Sequence, residues 1–419
     1  MIKKINFYNK IIFNSSIVLV GILFTGFFGY IFHIVIARLL SQSDYADIIT
    51  LLSLITIICA PTGALAMIIC KEVSALLTKK NSQSLVRVFS LKIYKFFIFF
   101  LFFLLAISFI AKDRFLSIFD ITIFEYFLII NLIFFNYVNF FQVGLIQAFE
   151  KFKLYSISFT IFNILKIVFS FIFIYLGYNT TGVLLSLSLV SIIATIFNFF
   201  FINLEINIFK YQKLVSLDLN FFKNKNILNI IVANVSFIII TQGDILMVKF
   251  FFDKSYLDAY SPASVLSKLV LYAPSALVTT LFPLFIKSFE NNIKIKNALF
   301  FGISLTFLSG LCISIIFYFF SDLIISKILG QHYLNSSNLL KFAGFGFIPF
   351  SIIYILEHYL ISRNTVFFAY LLLIFVPVQL FLYSYFNTFY FSPIIINIFI
   401  GCLFLFIFVL LIKLRKLKI

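Results

Sequence analysis

Charged residues are scarce in this chain of 419 residues, at 11% of the total, whereas hydrophobic residues make up 63%. A chain of this composition could not keep its apolar surface out of water as an ordinary soluble domain. Apolar runs long enough to cross roughly 30 Å of hydrocarbon recur from end to end. The alternation of polarity that a membrane β-barrel needs is missing from runs such as "FFIFFLFFLLAISFI". We therefore expect a polytopic α-helical membrane protein.

Catalytic signatures are also missing from the sequence. It has no Gly-rich phosphate loop, no HExxH pair, no CxxC site, and only short polar breaks between the apolar runs. All 4 cysteines lie in apolar runs, where a buried thiol is ordinary and a disulfide framework is not expected. We therefore expect no enzyme, no catalytic residue, no metal site and no cofactor, with a coupling proton or cation as the one exception.

Acidic residues are few, with 15 Asp and Glu against 32 Lys and Arg and a net charge of +17. About twelve spans are expected from the apolar runs, and the first is too long for a signal peptide and is expected to be retained. The basic residues collect in the two tails and the even-numbered loops, which predicts that this side, with both termini, is cytoplasmic. Attraction to anionic lipid headgroups explains the charge, so membrane lipids and not nucleic acid are the expected partners.

A polar pattern recurs between apolar runs in "VIARLLSQSDYADIITLLSL" and "MVKFFFDKSYLDAYSPASVL". Each copy has a basic residue, Arg38 or Lys249, followed after six residues by Tyr and then by Asp47 or Asp258. Both copies join an odd-numbered span to the next, which indicates a unit of six helices that occurs twice. The expected lobes are residues 1–210 and 211–419, related by a pseudo-twofold axis along the membrane normal. We expect these polar stretches to be corners of the fold.

Four stretches carry a resemblance to a known family. They are "ARLLSQSDYADIITLLSL", "GLIQAFEKFKLYSISF", "YLGYNTTGVLLSLSLVSI" and "DAYSPASVLSKLVLYAPSALVTTLFPLF". In their order and spacing the sequence resembles the polysaccharide flippases of the multidrug/oligosaccharidyl-lipid/polysaccharide exporter superfamily. The resemblance implies a V-shaped all-α fold of two six-helix lobes around a cavity that opens alternately to each side of the bacterial inner membrane. It further implies an undecaprenyl-pyrophosphate-linked oligosaccharide, such as an O-antigen (lipopolysaccharide) or capsule repeat unit, as substrate, with a polysaccharide polymerase as a partner that the family allows.

Proline interrupts two of the expected helices. Pro61 falls in the second span, and Pro274 and Pro283 fall in the eighth. Because proline removes a backbone donor, we expect these helices to bend there, although membrane helices also tolerate proline without any functional role.

Three ionisable residues deep in the spans are the main candidates for the substrate cavity. Lys268 lies near the middle of the eighth span, and Lys166 lies too deep in the fifth to reach the headgroups easily. Asp244 in the seventh span could bind a coupling proton or cation, or it could pair with a lysine such as Lys268. The sequence leaves both alternatives open.

Three further residues are weaker candidates. His33 could carry a proton or serve as a structural hydrogen-bonding group at a helix interface. Lys341 is close to the outer end of the tenth span and is expected to reach the headgroups. Glu357 lies near the cytoplasmic end of the same span and is expected to be interfacial.

Three functions fit these observations to different degrees. A flippase that moves a lipid-linked oligosaccharide to the outer leaflet is the leading interpretation, because Lys166, Lys268 and Lys341 outnumber the two acids inside spans, Asp244 and Glu357. An exporter of drugs or other small molecules in the same superfamily is the alternative. An integral-membrane polysaccharide polymerase or ligase is less favoured, since such enzymes carry a large external loop and the loops here are short.

Overall fold

In a computed structural model, the protein is described over residues 2–79, 82–207, 225–271, 274, 296–362 and 367–415. These ranges are helical and contain no β-strand, which confirms the all-α prediction. The helices are α1 Ile2–Leu39, α2 Gln42–Ile58, α3 Pro61–Leu77, α4 Ser82–Phe119, α5 Ile123–Ala148, α6 Phe152–Tyr175, α7 Asn179–Ile206, α8 Lys225–Phe251, α9 Lys254–Ser267, α10 Lys296–Ile324, α11 Ser337–Ser362, α12 Phe367–Tyr385 and α13 Ser392–Arg415. A 3-10 turn, Lys268–Leu271, continues α9, and a π turn, Ile325–Leu329, and a 3-10 turn, Gln331–Ser336, join α10 to α11.

The chain crosses the membrane many times. Within the described ranges, 10 helical segments are long and apolar enough to span a bilayer, with Gln42–Leu77 counted as one, and Leu23–Leu39 is a shorter apolar segment. Large apolar side chains point outward along these helices; on α4, Phe109 and Ile110 are 83% and 84% exposed. Such surfaces suit lipid and not water. The prediction of a multi-pass membrane protein is confirmed.

The helices divide into two units by their contacts. One unit contains Met1–Leu39 and Ile58–Leu228, and the other contains Leu40–Ile57 and Asn229–Ile419. The second unit thus includes nearly all of α2, which the expected boundary between residues 210 and 211 assigns to the first lobe. The division of the chain into two lobes after residue 210 stays a prediction. The sequence did not indicate that α2 has its contacts within the second unit.

In the first unit, α1 packs on α6, and α3 and α7 both pack on α5. The core under α3, α4, α5 and α7 is formed by buried aliphatic and aromatic residues, among them Val73, Val86, Phe89, Phe141, Leu145 and Ile202. Small residues permit the close approaches: a Cβ at Gly21 would lie 2.5 Å from Ser156 Cβ, and one at Gly144 would lie 2.7 Å from the Ala66 carbonyl oxygen. Such contacts are typical of helix packing in membranes.

In the second unit, α11 is the central helix and packs on α9, α10 and α13. Glycine residues again allow the helices to approach closely. A Cβ at Gly344 would lie 2.8 Å from Ser314 Oγ of α10, and one at Gly401 of α13 would lie 2.5 Å from Pro349 Cβ. The buried face of α11 therefore has fixed neighbours on both sides, which holds its side chains in defined positions.

The second span is interrupted at Pro61, where the sequence predicts a bend. α2 ends at Ile58 and α3 begins at Pro61, and the Thr62 N–H donates to the Cys59 carbonyl at 3.0 Å instead of continuing the α-helical pattern. The Tyr137 hydroxyl donates to the Ile58 carbonyl at 2.9 Å, which satisfies an acceptor at the break. At the other predicted bend, Pro274 is helical and buried. Pro283 and the residues on both sides of Pro274 lie outside the described residues.

Candidate substrate-contacting and ion-binding sites

A buried ion pair joins two of the predicted site residues in the second unit. Lys268 Nζ lies 2.9 Å from Asp244 Oδ1, and the Asp244 side chain is 0% exposed. The ammonium also donates to Gln242 Oε1 at 3.0 Å and lies 5.8 Å from the centre of the Phe347 ring. Of the alternatives that the sequence left open for Asp244, the structure shows pairing with Lys268.

Hydroxyl groups of α9 hold the second oxygen of the same carboxylate. Ser264 Oγ donates to Asp244 Oδ2 at 2.6 Å, and the Tyr260 hydroxyl donates to it at 3.0 Å. Tyr260, Ser264 and Lys268 are spaced four residues apart, so one face of α9 and its 3-10 extension presents all three to α8. The Asp244 carboxylate is therefore oriented by two hydroxyls as well as neutralised by an ammonium.

Buried polar side chains of α12 and α13 are hydrogen-bonded to one another and to the α8 backbone in the same unit. Tyr383 of α12 donates to Asn397 Oδ1 of α13 at 3.2 Å. Gln379 Nε2 donates to the same Asn397 oxygen at 3.2 Å and to the Ile240 carbonyl of α8 at 3.1 Å. These bonds link α12 and α13 to α8, the helix that carries Asp244, and Gln379 Oε1 has no hydrogen-bond partner among the described residues.

Lys166, the third main candidate, has different surroundings in the first unit. Its Nζ lies 4.7 Å from the centre of the Phe32 ring of α1, a cation–π distance. Among the described residues, no carboxylate forms an ion pair with Lys166 and no side chain or carbonyl accepts a hydrogen bond from it. Lys166 is therefore a partly buried ammonium that the Phe32 ring stabilises and that no described carboxylate neutralises.

The weaker candidates fall at separate places. His33 is partly buried beside Phe32, with ring centroids 5.4 Å apart, and so lies next to the residue that faces Lys166. Lys341, in the second turn of α11, donates to Asn338 Oδ1 at 3.3 Å. Glu357 near the other end of α11 is 1% exposed, so protein encloses it, and its interfacial depth stays a prediction.

The burial of Glu357 follows from the central position of α11. Both carboxylate oxygens are buried, and neither has a hydrogen-bond partner within the part of the chain that the structure describes. A buried carboxylate without a partner is costly unless it is protonated. Glu357 and Asp244 are thus two buried acids in one unit, but only Asp244 has a counter-charge and hydrogen-bond partners among the described residues.

The two copies of the recurring polar pattern meet at the helix ends. We call the residues involved the helix-end cluster: Gln42, Asp47, Lys249, Lys254, Asp258 and Asn335. Lys254 pairs with Asp47 and lies 3.6 Å from Asp258, and Lys249 lies 3.9 Å from Asp47. Gln42 Nε2 donates to the Asp258 carbonyl at 3.0 Å and to Asn335 at 2.7 Å. The cluster attaches the start of α2 to α8, α9 and the turn before α11.

Removal of one ion pair in the helix-end cluster should have a small effect. The Lys254 and Asp47 side chains are 42% and 32% exposed, and half-exposed ion pairs contribute about 1 kcal/mol or less. Lys254→Ala should therefore leave the Tm in detergent within a few degrees of the unchanged protein. Lys151→Ala, which removes a similarly exposed pair with Glu205, is the matched control. A large loss for Lys254→Ala alone would show that the cluster acts as a unit.

Several residues around these sites were not predicted from the sequence. Gln242, Ser264 and Tyr260 are uncharged polar residues. Because membrane helices commonly contain such residues, the composition of the spans did not single them out. The spacing of four from Tyr260 to Ser264 and to Lys268 was a readable signal for one shared face. No comparable signal placed Phe32 against Lys166, since that contact joins α1 to α6 across the fold. Among the described residues, no three His, Cys, Asp or Glu side chains are grouped to hold a metal ion.

Comparison with solved structures identifies the fold. One match is a multidrug resistance MATE family transporter of the MOP superfamily in an inward-facing conformation, with a TM-score of 0.74, 13% identity, and coverage of 94% of this chain and 96% of that one. A MATE transporter of Vibrio cholerae matches with a TM-score of 0.63 and 12% identity over 97% of both chains.

A third match is a MOP superfamily transporter from Pyrococcus furiosus, described as having a binding pocket of reverse polarity, with a TM-score of 0.54, 14% identity, and coverage of 96% and 95%. No family model and no characterised relative matches the sequence itself. The chain has the two-lobed fold of MATE transporters.

Proposed function

We propose that the protein is an alternating-access transporter that moves an anionic, lipid-linked oligosaccharide from the cytoplasmic to the outer leaflet of a bacterial inner membrane. The observation that carries this proposal is Lys166. Its ammonium lies about 14 residues into α6, or roughly 21 Å along the helix, with no described carboxylate to neutralise it. An uncompensated cation at that depth is opposed by about 3 kcal/mol, so such residues commonly serve function.

The chemistry of an undecaprenyl-pyrophosphate-linked substrate suits an uncompensated lysine. The pyrophosphate is anionic, and an ammonium in surroundings of low dielectric constant attracts it more strongly than a neutral solute. Sugar hydroxyls are costly to bury in hydrocarbon without hydrogen bonds, so the glycan would need a polar path while the polyprenyl tail stays in lipid. Lys268 contributes less to this attraction than the sequence suggested, because Asp244 neutralises it.

Export of drugs or other small molecules is the second candidate, and the structural neighbours favour it directly. A matched transporter is named for multidrug resistance. A fold does not determine its substrate, however, and the reverse-polarity pocket described for the Pyrococcus furiosus transporter supports different functions within this fold. Lys268 neutralises Asp244, whereas Glu357 of the same unit is a buried acid without a described partner and would attract a cationic drug when it is ionised.

A deletion strain distinguishes the two candidates. Loss of the protein should cause lipid-linked repeat units to accumulate in the inner leaflet and should reduce surface polysaccharide, and the unchanged gene should restore both. Sensitivity to cationic drugs should be unaltered. Increased drug sensitivity with normal surface polysaccharide would instead identify an exporter.

The orientation in the membrane is a separate prediction. Because basic loops are retained in the cytoplasm, a reporter inserted after Lys80 should be cytoplasmic, and one inserted between Tyr178 and Thr181 should be external. Reporter enzymes that are active on only one side of the membrane would measure this. External activity after Lys80 would reverse the proposed topology and the direction of transport.

A further inference from the structure

We propose that the Lys268 ammonium is a built-in cation: it occupies a monovalent-cation site formed by Asp244 and Gln242, so the transporter takes up no metal ion there. The occupation of the site by Lys268 concerns one ion-binding site within the second unit and does not depend on the proposed transport function. Only its consequence for the coupling of transport rests on that function.

The first observation is that the oxygen ligands are already arranged. Asp244 Oδ1 and Gln242 Oε1 contact the ammonium at 2.9 and 3.0 Å, so both oxygens face the same point. The other carboxylate oxygen is held by Ser264 and Tyr260, which fixes the orientation of the carboxylate independently of Lys268. Hard cations such as Na⁺ and K⁺ prefer carboxylate and amide oxygens of this kind.

The second observation is the depth of burial. The Asp244 side chain is 0% exposed and the Lys268 side chain 10%. A carboxylate in that position must be protonated or accompanied by a positive charge, because an isolated buried charge is strongly unfavourable. A mobile ion from solution could provide the charge, and here the chain provides it.

A tethered ammonium has a large advantage over a dissolved ion. Because Lys268 is held on the same face of α9 as two groups that bind Asp244, its effective concentration at the carboxylate far exceeds that of a free cation. The site is therefore filled in the folded protein whatever salt is present. Under the proposed function, transport would not be coupled to uptake of a metal ion at Asp244.

The test uses purified protein in detergent and measures the Tm at increasing NaCl, with choline chloride at equal ionic strength as the reference. The unchanged protein should show no specific response to Na⁺. Lys268→Ala should be destabilised in choline chloride and progressively stabilised by NaCl, because removal of the amine leaves a vacant oxygen site beside a buried carboxylate. At 100 times its Kd, an ion that binds only the folded state raises the folded-to-unfolded ratio about 100-fold.

Two matched variants identify the site. Lys268→Met removes the charge but keeps a side chain of similar length against Phe347, so it should be destabilised without rescue by Na⁺. Lys268→Ala combined with Asp244→Asn removes both charges and should fold in either salt with no specific response. Binding of radioactive Na⁺ should follow the same order, present in Lys268→Ala and missing from the other variants.

The proposal is overturned by either of two results. One is a Na⁺ response of the unchanged protein that the double variant, Lys268→Ala with Asp244→Asn, does not show, which would mean that the ammonium does not fill the site. The other is a Lys268→Ala protein that gains nothing from Na⁺, or that is unfolded in both salts while the double variant folds. These readouts do not depend on the transported substrate, so failure of the proposed function would leave them unaffected.

Discussion

Asp244→Asn should greatly reduce the amount of folded protein, whereas Glu357→Gln should not. The first change leaves the Lys268 ammonium buried without its counter-charge, and breaking a buried ion pair in this way is worth about 3–5 kcal/mol. The second change removes a buried carboxylate that has no described hydrogen-bond partner, so no interaction is lost. The Tm and the yield of monodisperse protein in detergent would measure both effects.

The double variant Lys268→Ala with Asp244→Asn is the control for the ion pair. Because both buried charges are removed together, it should recover most of the stability that Asp244→Asn loses. It should also retain transport, since the substrate contact is assigned to Lys166. Normal stability of Asp244→Asn alone would mean that the pair is not buried in the membrane-embedded protein. Loss of transport in a stable double variant would indicate that Lys268 contacts the substrate after all.

The membrane class and the all-α fold could be predicted from the sequence because both follow from composition and the length of apolar runs. A departure from regular helix at Pro61 could also be predicted, since its cause is local: proline lacks the N–H that the helix requires. The partnership of Lys268 and Asp244 was one of two open alternatives. A choice between them needed the distance from Asp244 on α8 to Lys268 at the end of α9, and the periodicity of the sequence does not give distances between helices.

The features that sequence reasoning missed are those set by contacts between distant segments. Glu357 lies near a helix end, and the sequence did not indicate that protein encloses it there, because the central position of α11 follows from contacts between helices. α2 follows α1 in sequence and yet packs with the second unit, because its start is held by the helix-end cluster. The recurring polar pattern indicated a corner of the fold but not that its two copies contact each other.

The strongest functional effect is expected at Lys166. Lys166→Met removes the ammonium and keeps an unbranched stem that can still pack on Phe32, so folding should be preserved. A charge-assisted contact is worth about 1.5–3 kcal/mol, and its loss should therefore reduce transport roughly 10- to 100-fold. The measurement is surface polysaccharide, together with lipid-linked repeat units in the inner leaflet, in a deletion strain that expresses the variant.

Two lysine variants separate the charge of Lys166 from its packing. Lys166→Arg keeps a cation that can lie on the Phe32 ring and should retain much of the activity. Lys341→Ala removes another lysine of a membrane helix, one that donates to Asn338 in the first turns of α11, and should leave transport unchanged. If Lys166→Met transports normally at normal abundance, the ammonium does not contact the substrate and the case for an anionic substrate fails. If Lys166→Met and Lys166→Arg both lose folded protein, Lys166 is a packing residue, and the exporter alternative becomes the better account of this fold.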